Sequence, residues 1–403
     1  MAPRTMKIEE TLPRDGGVLV GRVWLPRGDG SGRPRVVGVA DGRVYDISGR
    51  FSTVTEVLNS ANPSREVVPR LGVDVDLGPL ARFIATPVGA ARPKDQPYLM
   101  APCDLQPVKG SGVTFLVSLK ERVIEEAARG DPERAAALRD SISEELDRRL
   151  ANVKPGSDEA AAAKAWLVEN KLWSQYLEVA IGPDAEIFSK APPMSAVGTG
   201  SNIGILRSSQ WNNPEPEIVL AVSAAGKVVG ATLGNDVNLR DVEGRSALLL
   251  GKAKDNNGAC AVGPFIRLFD ANFGLDDVRR AQVSLEIVGE DGFTLSGLSR
   301  MERISRDPEA LVGQTIGRHH QYPDGMMLFL GTMFSPSKDR GAPGRGFTHH
   351  VGDVVTIASP QLGSLVNRVD YCDEIEPWTF GISDLINALR DEAVGGGRRS
   401  SAR

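Results

Sequence analysis

The feature that most constrains the fold is the run WNNPEPEIVLAVSAAGKVVGATLGNDVNLRD at positions 211–241. Two apolar segments rich in β-branched residues, 218–223 and 228–233, flank the dipeptide Ala225-Gly226. Strands separated by such a dipeptide are typical of a β-hairpin with a two-residue loop. The run therefore predicts two antiparallel strands in the interior of a sheet.

Carboxylates lie at the open end of this predicted hairpin. The pairing that the loop imposes places Glu215 opposite Asp236 and Glu217 opposite Gly234, and residues that face each other share one side of a sheet. Pro216, between the two glutamates, has no N–H to donate and suits a strand end or edge. We therefore expect Glu215, Glu217 and Asp236 to converge at a rim, with open space beside Gly234.

Three neighbouring carboxylates repel one another and raise each other's pKa unless a cation separates them. Oxygen ligands without Cys or His favour Mg²⁺, Mn²⁺ or Ca²⁺, and three protein ligands leave positions for water and substrate. The pattern predicts a divalent metal held by Glu215, Glu217 and Asp236. The alternative is that the glutamates are solvated at a strand end, since charged side chains are mostly exposed.

Composition limits the partners of the chain. Its 403 residues carry 47 basic and 52 acidic side chains in a mixed pattern, for a net charge of −5, and this gives no basic face for nucleic acid or lipid. Small molecules are the expected partners, without nucleic acid or membrane. Cys103, Cys260 and Cys372 lie far apart in the sequence, which favours reduced thiols. The N-terminus lacks the apolar core of a signal peptide. We therefore expect a cytoplasmic protein.

The rest of the sequence indicates an α+β fold. Residues 17–48 alternate short β-type runs with turn residues, which predicts a small antiparallel sheet, and β-type runs return between 178 and 370. Helical periodicity or composition marks four further segments: 119–150 with a break at Asp131-Pro132, 158–170, 244–253 and 382–393. We expect an N-terminal β-rich domain at 1–100, a catalytic domain at 101–393 with a helical segment at 119–170, and a flexible tail at 394–403.

An ordered set of short motifs accompanies the carboxylates. The motifs are Glu215 and Glu217 in PEPEIVLAV, Asp236 in GNDVNLRD, Lys254 in AKDNNGACAVGPF, and Gly331-Thr332 in LFLGTMFSP. Over about residues 100–380 the chain resembles the fumarylacetoacetate hydrolase superfamily. The resemblance implies the mixed β-roll of that family, a metal (Mg²⁺, with Mn²⁺ as an alternative) on the three carboxylates, and a homo-oligomer, either a dimer or a tetramer.

One position departs from the family pattern. Hydrolases and decarboxylases of the superfamily usually carry a His and a Glu that activate water on a lid, and the matching stretch here, TFLVSLKE, keeps Glu121 but has Ser118 in place of the His. Without an imidazole that exchanges protons near neutral pH, hydrolysis lacks its obvious general base. Cleavage of a carbon–carbon bond or decarboxylation of oxaloacetate or an acylpyruvate stays the alternative activity.

Longer segments resemble one branch of the superfamily, the sugar-acid dehydratases. These segments include GVTFLVSLKERVIEEAARGD, WSQYLEVAIGPDAEIFSK and HHQYPDG. The resemblance implies dehydration of a 2-keto-3-deoxypentonate. In the expected reaction the divalent ion chelates the carboxylate and ketone oxygens of the substrate. Removal of a C3 proton then gives an enolate that the ion stabilises, and the C4 hydroxyl leaves.

The resemblance also implies roles for individual side chains. Glu121 is the expected acid or base, and Lys254 is expected to bind the substrate carboxylate, stabilise the enolate or transfer a proton. Ser118 and Thr332 are expected to bind substrate. The neighbouring Lys252 competes with Lys254 for the assignment, and an exposed lysine, a solvated helix-start glutamate and a strand-end threonine are the structural alternatives.

Overall fold

A computed structural model of the chain describes residues 4–28, 31–129, 131, 133–135, 137, 148, 150, 153–169, 173–334, 336, 338–340 and 346–400. The strands are β1 Leu19–Pro26, β2 Gly32–Ala40, β3 Arg43–Asp46, β4 Val75–Pro79, β5 Tyr98–Met100, β6 Val108–Gly112, β7 Glu186–Ala191, β8 Asn202–Ile205, β9 Asn212–Asn213, β10 Pro216–Val222, β11 Val228–Asp236, β12 Asn238–Leu239, β13 Cys260–Leu268, β14 Gln282–Val288, β15 Thr294–Arg300, β16 Met326–Phe329, β17 Val354–Ser359 and β18 Gly363–Tyr371. The α-helices are Ile8–Thr11, Val54–Leu58, Pro63–Glu66, Leu116–Ala128, Asp158–Glu169, Gln175–Ile181, Arg240–Glu243, Leu250–Lys254, Leu275–Arg280, Pro308–Thr315 and Ile382–Ser400. Short 3₁₀ helices occur at Leu80–Phe83, Ala247–Leu249 and Met301–Arg303.

Two sheets dominate the described residues. The larger has eleven strands in the order β4-β3-β2-β1-β13-β11-β10-β16-β6-β7, with β5 paired to β1. The smaller has five strands in the order β15-β14-β17-β18-β8, and β9 and β12 form a short ribbon of their own. The structure is therefore α+β, as the sequence predicts.

The central strands are apolar because both of their faces are covered. Every residue of β10 is buried. Ile218 and Leu220 belong to the core that also contains residues of β14, β17 and β18, whereas Val219 and Ala221 belong to a core on the opposite face. Successive side chains of a strand point to opposite faces, so an unbroken apolar run serves two cores at once.

The predicted hairpin pairing is confirmed. Strand β10 pairs antiparallel with β11, and the backbone N–H of Asp236 donates to the carbonyl oxygen of Glu215 over 3.1 Å. The loop is longer than the predicted two residues, because it spans 223–227. An irregularity between Ala221 and Val222 compensates for the extra length, so the pairing at the far end keeps its predicted register.

The N-terminal strands extend the larger sheet. Strands β1, β2 and β3 form the antiparallel arrangement predicted for 17–48, and β1 also pairs with β13, where Leu19 lies opposite Arg267. Both parts of the chain thus contribute to one sheet, while the division into domains at residue 100 stays a prediction.

The predicted helix at 119–150 begins earlier than expected and is described only in part. Its first portion is the helix Leu116–Ala128. Beyond it, the Asp131 carboxylate accepts hydrogen bonds from the backbone N–H groups of Glu133 and Arg134, as a helix-capping aspartate does. Pro132 and most of 138–152 lie outside the described residues.

The other predicted helices are present with shifted bounds. The segment 158–170 is Asp158–Glu169, and 244–253 contains a 3₁₀ turn followed by Leu250–Lys254. The last helix runs through Ile382–Ser400, so helix continues past the predicted end at 393. The flexible tail at 394–403 stays a prediction.

All three cysteines are free thiols, and Cys103 and Cys260 are buried. Burial raises the pKa of Cys372 to about 11. Within the described residues, no helix combines the length and apolar character needed to cross a bilayer.

Candidate metal centre and active site

Glu215, Glu217 and Asp236 form a buried carboxylate triad at the open end of the β10–β11 hairpin. One carboxylate oxygen from each side chain can be chosen so that all three atoms lie within 4.8 Å of one another. Their exposed fractions are 6%, 3% and 2%, so they are not solvated strand-end residues. The sequence therefore predicted both the members of the triad and their convergence.

Cationic side chains lie directly against the triad. Lys254 donates to Glu215 Oε2 over 2.5 Å and to Asp236 Oδ2 over 2.9 Å. Lys190 Nζ, a fully buried ammonium, lies 2.7 Å from Asp236 Oδ1. Arg122 donates to Glu215 Oε1 over 2.5 Å. Two of the three carboxylates thus have a cationic partner.

Glu217 differs from its neighbours. Its Oε2 accepts a hydrogen bond from the backbone N–H of Gly331 over 2.6 Å. Burial, followed by the charges of Asp236 and Glu215, holds the pKa of Glu217 well above its usual range. Burial also raises the pKa of Glu215, whereas the burial penalty on Asp236 is outweighed by Lys190 and Lys254, which lower its pKa.

The triad fits a hard divalent cation. Its donors are carboxylate oxygens alone, which suits Mg²⁺, Mn²⁺ or Ca²⁺. Burial, and then the negative charges of Asp236 and Glu215, raise the pKa of Glu217, and an ion between the carboxylates would offset that negative charge. Glu215, Glu217 and Asp236 are thus the residues that would hold a metal here.

Lys254 occupies the position predicted for it. Its side chain is buried against the triad, whereas Lys252, the competing candidate in the same short helix, is exposed. Burial alone would lower the pKa of Lys254, but the carboxylates of Asp236 and Glu215 raise it above the ordinary value. The Lys254 ammonium also lies 5.5 Å from the centre of the Phe188 ring.

A pocket opens beside the triad. Three lining residues were predicted to bind substrate: Ser118, Lys254 and Thr332. Four charged or aromatic lining residues were not predicted: Arg122, Glu186, Phe188 and Glu243. We refer to this cavity as the site pocket.

Gly331 and Thr332 form one wall of the site pocket. Gly331 has φ +86°, and a Cβ added there would lie 2.0 Å from Thr114 Oγ1. That hydroxyl is fixed because it donates to the carbonyl of Leu330 over 2.7 Å. Only glycine fits at this position, and its N–H points at Glu217 as a result. The Thr332 hydroxyl accepts a hydrogen bond from the N–H of Phe334 over 3.1 Å.

Glu121, the predicted acid or base, does not line the site pocket. Its carboxylate accepts a hydrogen bond from Arg240 over 3.2 Å. Ser118 and Arg122, four residues apart on one face of the helix, line the pocket instead, whereas the Glu121 side chain bonds Arg240. The Ser118 hydroxyl donates to the carbonyl of Phe115 over 2.8 Å.

Arg122 and Arg240 attach the helix Leu116–Ala128 to the metal side of the pocket. Arg122 reaches Glu243 over 2.7 Å in addition to Glu215. Arg240 is 1% exposed, and its guanidinium lies 4.3 Å from the centre of the Trp211 ring. Three ion pairs, Arg122–Glu215, Arg122–Glu243 and Arg240–Glu121, therefore connect this helix to the residues around the triad.

The residues that the sequence reasoning missed carried a detectable signal. Arg122 follows Ser118 by the four residues that make helix neighbours. Glu186, Phe188 and Lys190 alternate along β7, and all three face the site. If the segment AEIFSKA is a strand, its every second residue lies on one face, so the sequence pattern alone predicts that these three side chains share a face.

Comparison with known proteins agrees with this architecture. The family model described as fumarylacetoacetate (FAA) hydrolase C-terminal matches residues 168–370, which is half of the chain. A 2-dehydro-3-deoxy-D-arabinonate dehydratase of Saccharolobus solfataricus is 32% identical over 184 residues, which cover 46% of this chain and 58% of the relative. A probable 2-keto-3-deoxyxylonate dehydratase of Haloferax volcanii is 29% identical over 201 residues, or 50% of this chain and 65% of the relative. The matched part thus spans less than two thirds of either relative.

Solved structures extend the likeness of the fold over most of the chain. A structure described as 2-keto-3-deoxy-D-arabinonate dehydratase complexed with magnesium and 2,5-dioxopentanoate superposes with a TM-score of 0.59 at 22% identity, covering 88% of this chain and 99% of that one. A fumarylacetoacetate hydrolase from Exiguobacterium antarcticum gives a TM-score of 0.50 at 18% identity, with the same coverage. The solved structures show a shared fold, and the matched family model shows that the chain belongs to the fumarylacetoacetate hydrolase family.

Proposed function

We propose that the chain is a Mg²⁺-dependent dehydratase that converts a 2-keto-3-deoxypentonate to 2,5-dioxopentanoate. The observation that carries the proposal is the buried triad of Glu215, Glu217 and Asp236 with Lys254 placed against it. The two curated relatives are named as dehydratases of 2-keto-3-deoxy sugar acids, and one structural neighbour is described with magnesium and 2,5-dioxopentanoate. Mn²⁺ is the alternative ion.

In this proposal the triad holds the ion. When bound, Mg²⁺ supplies a Lewis acid that polarises the ketone beside the substrate carboxylate. The burial of all three ligands excludes bulk water, which strengthens every charge interaction in the site.

The predicted substrate-binding residues of the chain keep their roles in the proposal. Lys254 brings an ammonium to the negative end of a 2-keto acid and to the charge that develops on its C2 oxygen. Thr332 offers its hydroxyl and the adjacent backbone, and Ser118 offers a hydroxyl from the helix Leu116–Ala128. Of the predicted catalytic pair, Lys254 lies in the pocket and is retained. Glu121 is not needed, since its carboxylate points to Arg240.

The preferred substrate in the proposal is 2-keto-3-deoxy-D-xylonate, with the D-arabinonate epimer as the alternative. The test is to incubate the purified protein with Mg²⁺ and each epimer, and to couple 2,5-dioxopentanoate formation to a semialdehyde dehydrogenase. Product from either epimer is the expected result. No product from both, together with cleavage of an acylpyruvate or decarboxylation of oxaloacetate, would overturn the proposal and favour the alternative activity.

We also propose that the enzyme acts as a cytoplasmic homo-oligomer. Free thiols at all three cysteines support a reducing compartment. Light scattering during size-exclusion chromatography is the direct test, and a particle of one chain mass, 43.1 kDa, would contradict the oligomer.

A further inference from the structure

Lys190 of strand β7 is fixed in place beside the triad by three contacts. Its side chain is fully buried, and its ammonium lies 2.7 Å from Asp236 Oδ1. The same ammonium donates to the carbonyl oxygen of Val237 over 3.1 Å and to that of Lys254 over 2.5 Å. Because a lysine ammonium carries three N–H groups, these three oxygens account for all of them. Lys190 thus occupies one oxygen of Asp236 and leaves Oδ2 for another cation.

The other two carboxylates of the triad are limited in the same way. Arg122 donates to Glu215 Oε1 over 2.5 Å, and its ion pair with Glu243 holds the guanidinium there. The backbone N–H of Gly331 donates to Glu217 Oε2 over 2.6 Å. Each of these donors takes one oxygen of its carboxylate, so the oxygens that remain are Glu215 Oε2 and Glu217 Oε1.

Two of the remaining oxygens converge on one positive charge. The Lys254 ammonium contacts Glu215 Oε2 over 2.5 Å and Asp236 Oδ2 over 2.9 Å. These are the two oxygens that Arg122 and Lys190 leave open. The triad is therefore arranged to offer a cation one oxygen of each carboxylate rather than both.

The number of oxygens that a carboxylate offers distinguishes one divalent ion from another. Ca²⁺ takes about six to eight oxygen ligands in a flexible geometry, and carboxylates often bind it through both oxygens. Mg²⁺ is smaller, requires nearly octahedral coordination and keeps several water ligands beside a few carboxylate oxygens. Mn²⁺ shares the preference for octahedral oxygen sites. Three single oxygens therefore suit Mg²⁺ or Mn²⁺ better than Ca²⁺.

We propose that Lys190 selects Mg²⁺ or Mn²⁺ over Ca²⁺ by preventing Asp236 from binding an ion through both oxygens. Arg122 and the Gly331 N–H limit their own carboxylates in the same manner. Lys190 is a positioning residue, since it acts on the ion through Asp236. This inference rests on the metal dependence in the proposed function, and it distinguishes ions that the oxygen donors alone leave open.

The experiment measures metal dissociation constants without substrate. Electron paramagnetic resonance of free Mn²⁺ gives the Mn²⁺ constant, and competition with Mn²⁺ gives those for Mg²⁺ and Ca²⁺. Wild type should bind Mg²⁺ more tightly than Ca²⁺. In Lys190→Met, we expect the ratio of the Ca²⁺ to the Mg²⁺ dissociation constant to fall by about tenfold, an effect of the size seen when the partner of a metal ligand is changed. Because the two ions carry the same charge, the ratio is insensitive to the lost lysine charge itself.

Lys254→Met is the matched control. It removes the same positive charge from the same cluster, but from the oxygens that are already offered to the ion. Both dissociation constants should therefore change by the same factor, and their ratio should stay at the wild-type value. Tighter binding of Ca²⁺ than of Mg²⁺ by wild type, an unchanged ratio in Lys190→Met, or an equal fall in both variants would overturn the inference.

A second variant covers the case in which Lys190→Met does not fold. Arg122→Met frees Glu215 Oε1 at a side chain that is 12% exposed, and the ratio should fall there as well. An unchanged ratio in Arg122→Met would then overturn the inference.

The outcomes separate this inference from the proposed function. If wild type binds neither Mg²⁺ nor Mn²⁺, the metal-dependent function and the inference both fail. If the ratio falls as expected but neither epimer is dehydrated, the proposed function fails and the role of Lys190 stands. Dehydration by wild type together with an unchanged ratio in Lys190→Met removes the inference alone.

Discussion

Asp236 donates its backbone N–H to the carbonyl of Glu215 across the β10–β11 hairpin, over 3.1 Å. This single bond aligns the ends of two strands so that the two side chains lie on the same face of the sheet. Because Glu217 follows two residues after Glu215, it shares that face as well. The geometry of the metal centre is therefore a consequence of strand register.

The first prediction concerns Glu217, the triad member that has no cationic partner in the described part of the chain. Glu217→Gln keeps the hydrogen bond from Gly331 but removes the negative charge. We expect Mg²⁺ affinity to fall at least about tenfold, since even residues that only support metal ligands have effects of this size. Turnover should fall with it. Calorimetric titration with Mg²⁺ measures the first effect, and full activity of the variant in the presence of a chelator would remove the metal from the account.

The two neighbouring lysines provide a second prediction with its own control. Lys254→Met removes the ammonium beside Glu215 and Asp236, whereas Lys252→Met changes an exposed side chain. We expect kcat/KM to fall by about 100-fold in Lys254→Met, as when a donor to a developing oxyanion is lost. Lys252→Met should match wild type. Equal activity of the two variants would mean that Lys254 has no part in the chemistry.

Much of this site was predictable from the sequence because it is local. The pairing of Glu215 with Asp236 depends on a single short hairpin. The predicted loop length was wrong, but the predicted pairing of Glu215 with Asp236 is confirmed, because the irregularity between Ala221 and Val222 compensates for the longer loop. The motif around Lys254 favours it over Lys252, and Lys254 is the lysine that lies against the triad.

The rest depends on contacts between distant segments. Helical periodicity predicts which residues lie near one another on a helix, but packing decides which of them meet the pocket. Arg122 lines the pocket here, whereas Glu121 bonds Arg240. Lys190 and Glu186 face the site because β7 pairs with β6 and β6 pairs parallel with β16. The sequence between these strands does not specify such long-range pairings.

A third prediction tests the wall that holds Glu217. Gly331→Ala forces a Cβ against Thr114 Oγ1 at φ +86°. We expect the free energy of unfolding to fall by at least about 1–3 kcal/mol, the cost of a strained backbone conformation, and turnover to fall as the donor to Glu217 shifts. Gly313→Ala is the control, because that helical glycine has open space around its Cβ position. The control should be stabilised by up to about 1 kcal/mol. Equal unfolding free energies for the two variants would contradict the steric argument.

A fourth prediction concerns stability in acid. Burial alone would raise the pKa of Asp353, but hydrogen bonds from His349 and Arg340 lower it from 3.8 to about 2. A carboxyl with a lowered pKa in the folded state contributes stability above its unfolded pKa, and this is lost as pH falls from 3.8 toward 2. Burial has the opposite effect on His349, whose pKa it lowers below 6.5, so the folded state loses stability as pH drops beneath that value.

The expected result is a stability that declines below pH 6.5 and declines again below pH 3.8. The second decline should amount to about 2 kcal/mol for Asp353. Denaturant unfolding across this pH series measures both, and the second decline should be smaller in Asp353→Asn than in wild type. A variant with the same acid profile as wild type would show that Asp353 is not responsible.

The central claim is dehydration of a 2-keto-3-deoxypentonate at the carboxylate triad, and the coupled assay with Mg²⁺ tests it most directly. The account predicts 2,5-dioxopentanoate from 2-keto-3-deoxy-D-xylonate or its D-arabinonate epimer, loss of turnover in a chelator, and recovery when Mg²⁺ is restored. Absence of product from both epimers with Mg²⁺ or Mn²⁺ present would contradict it.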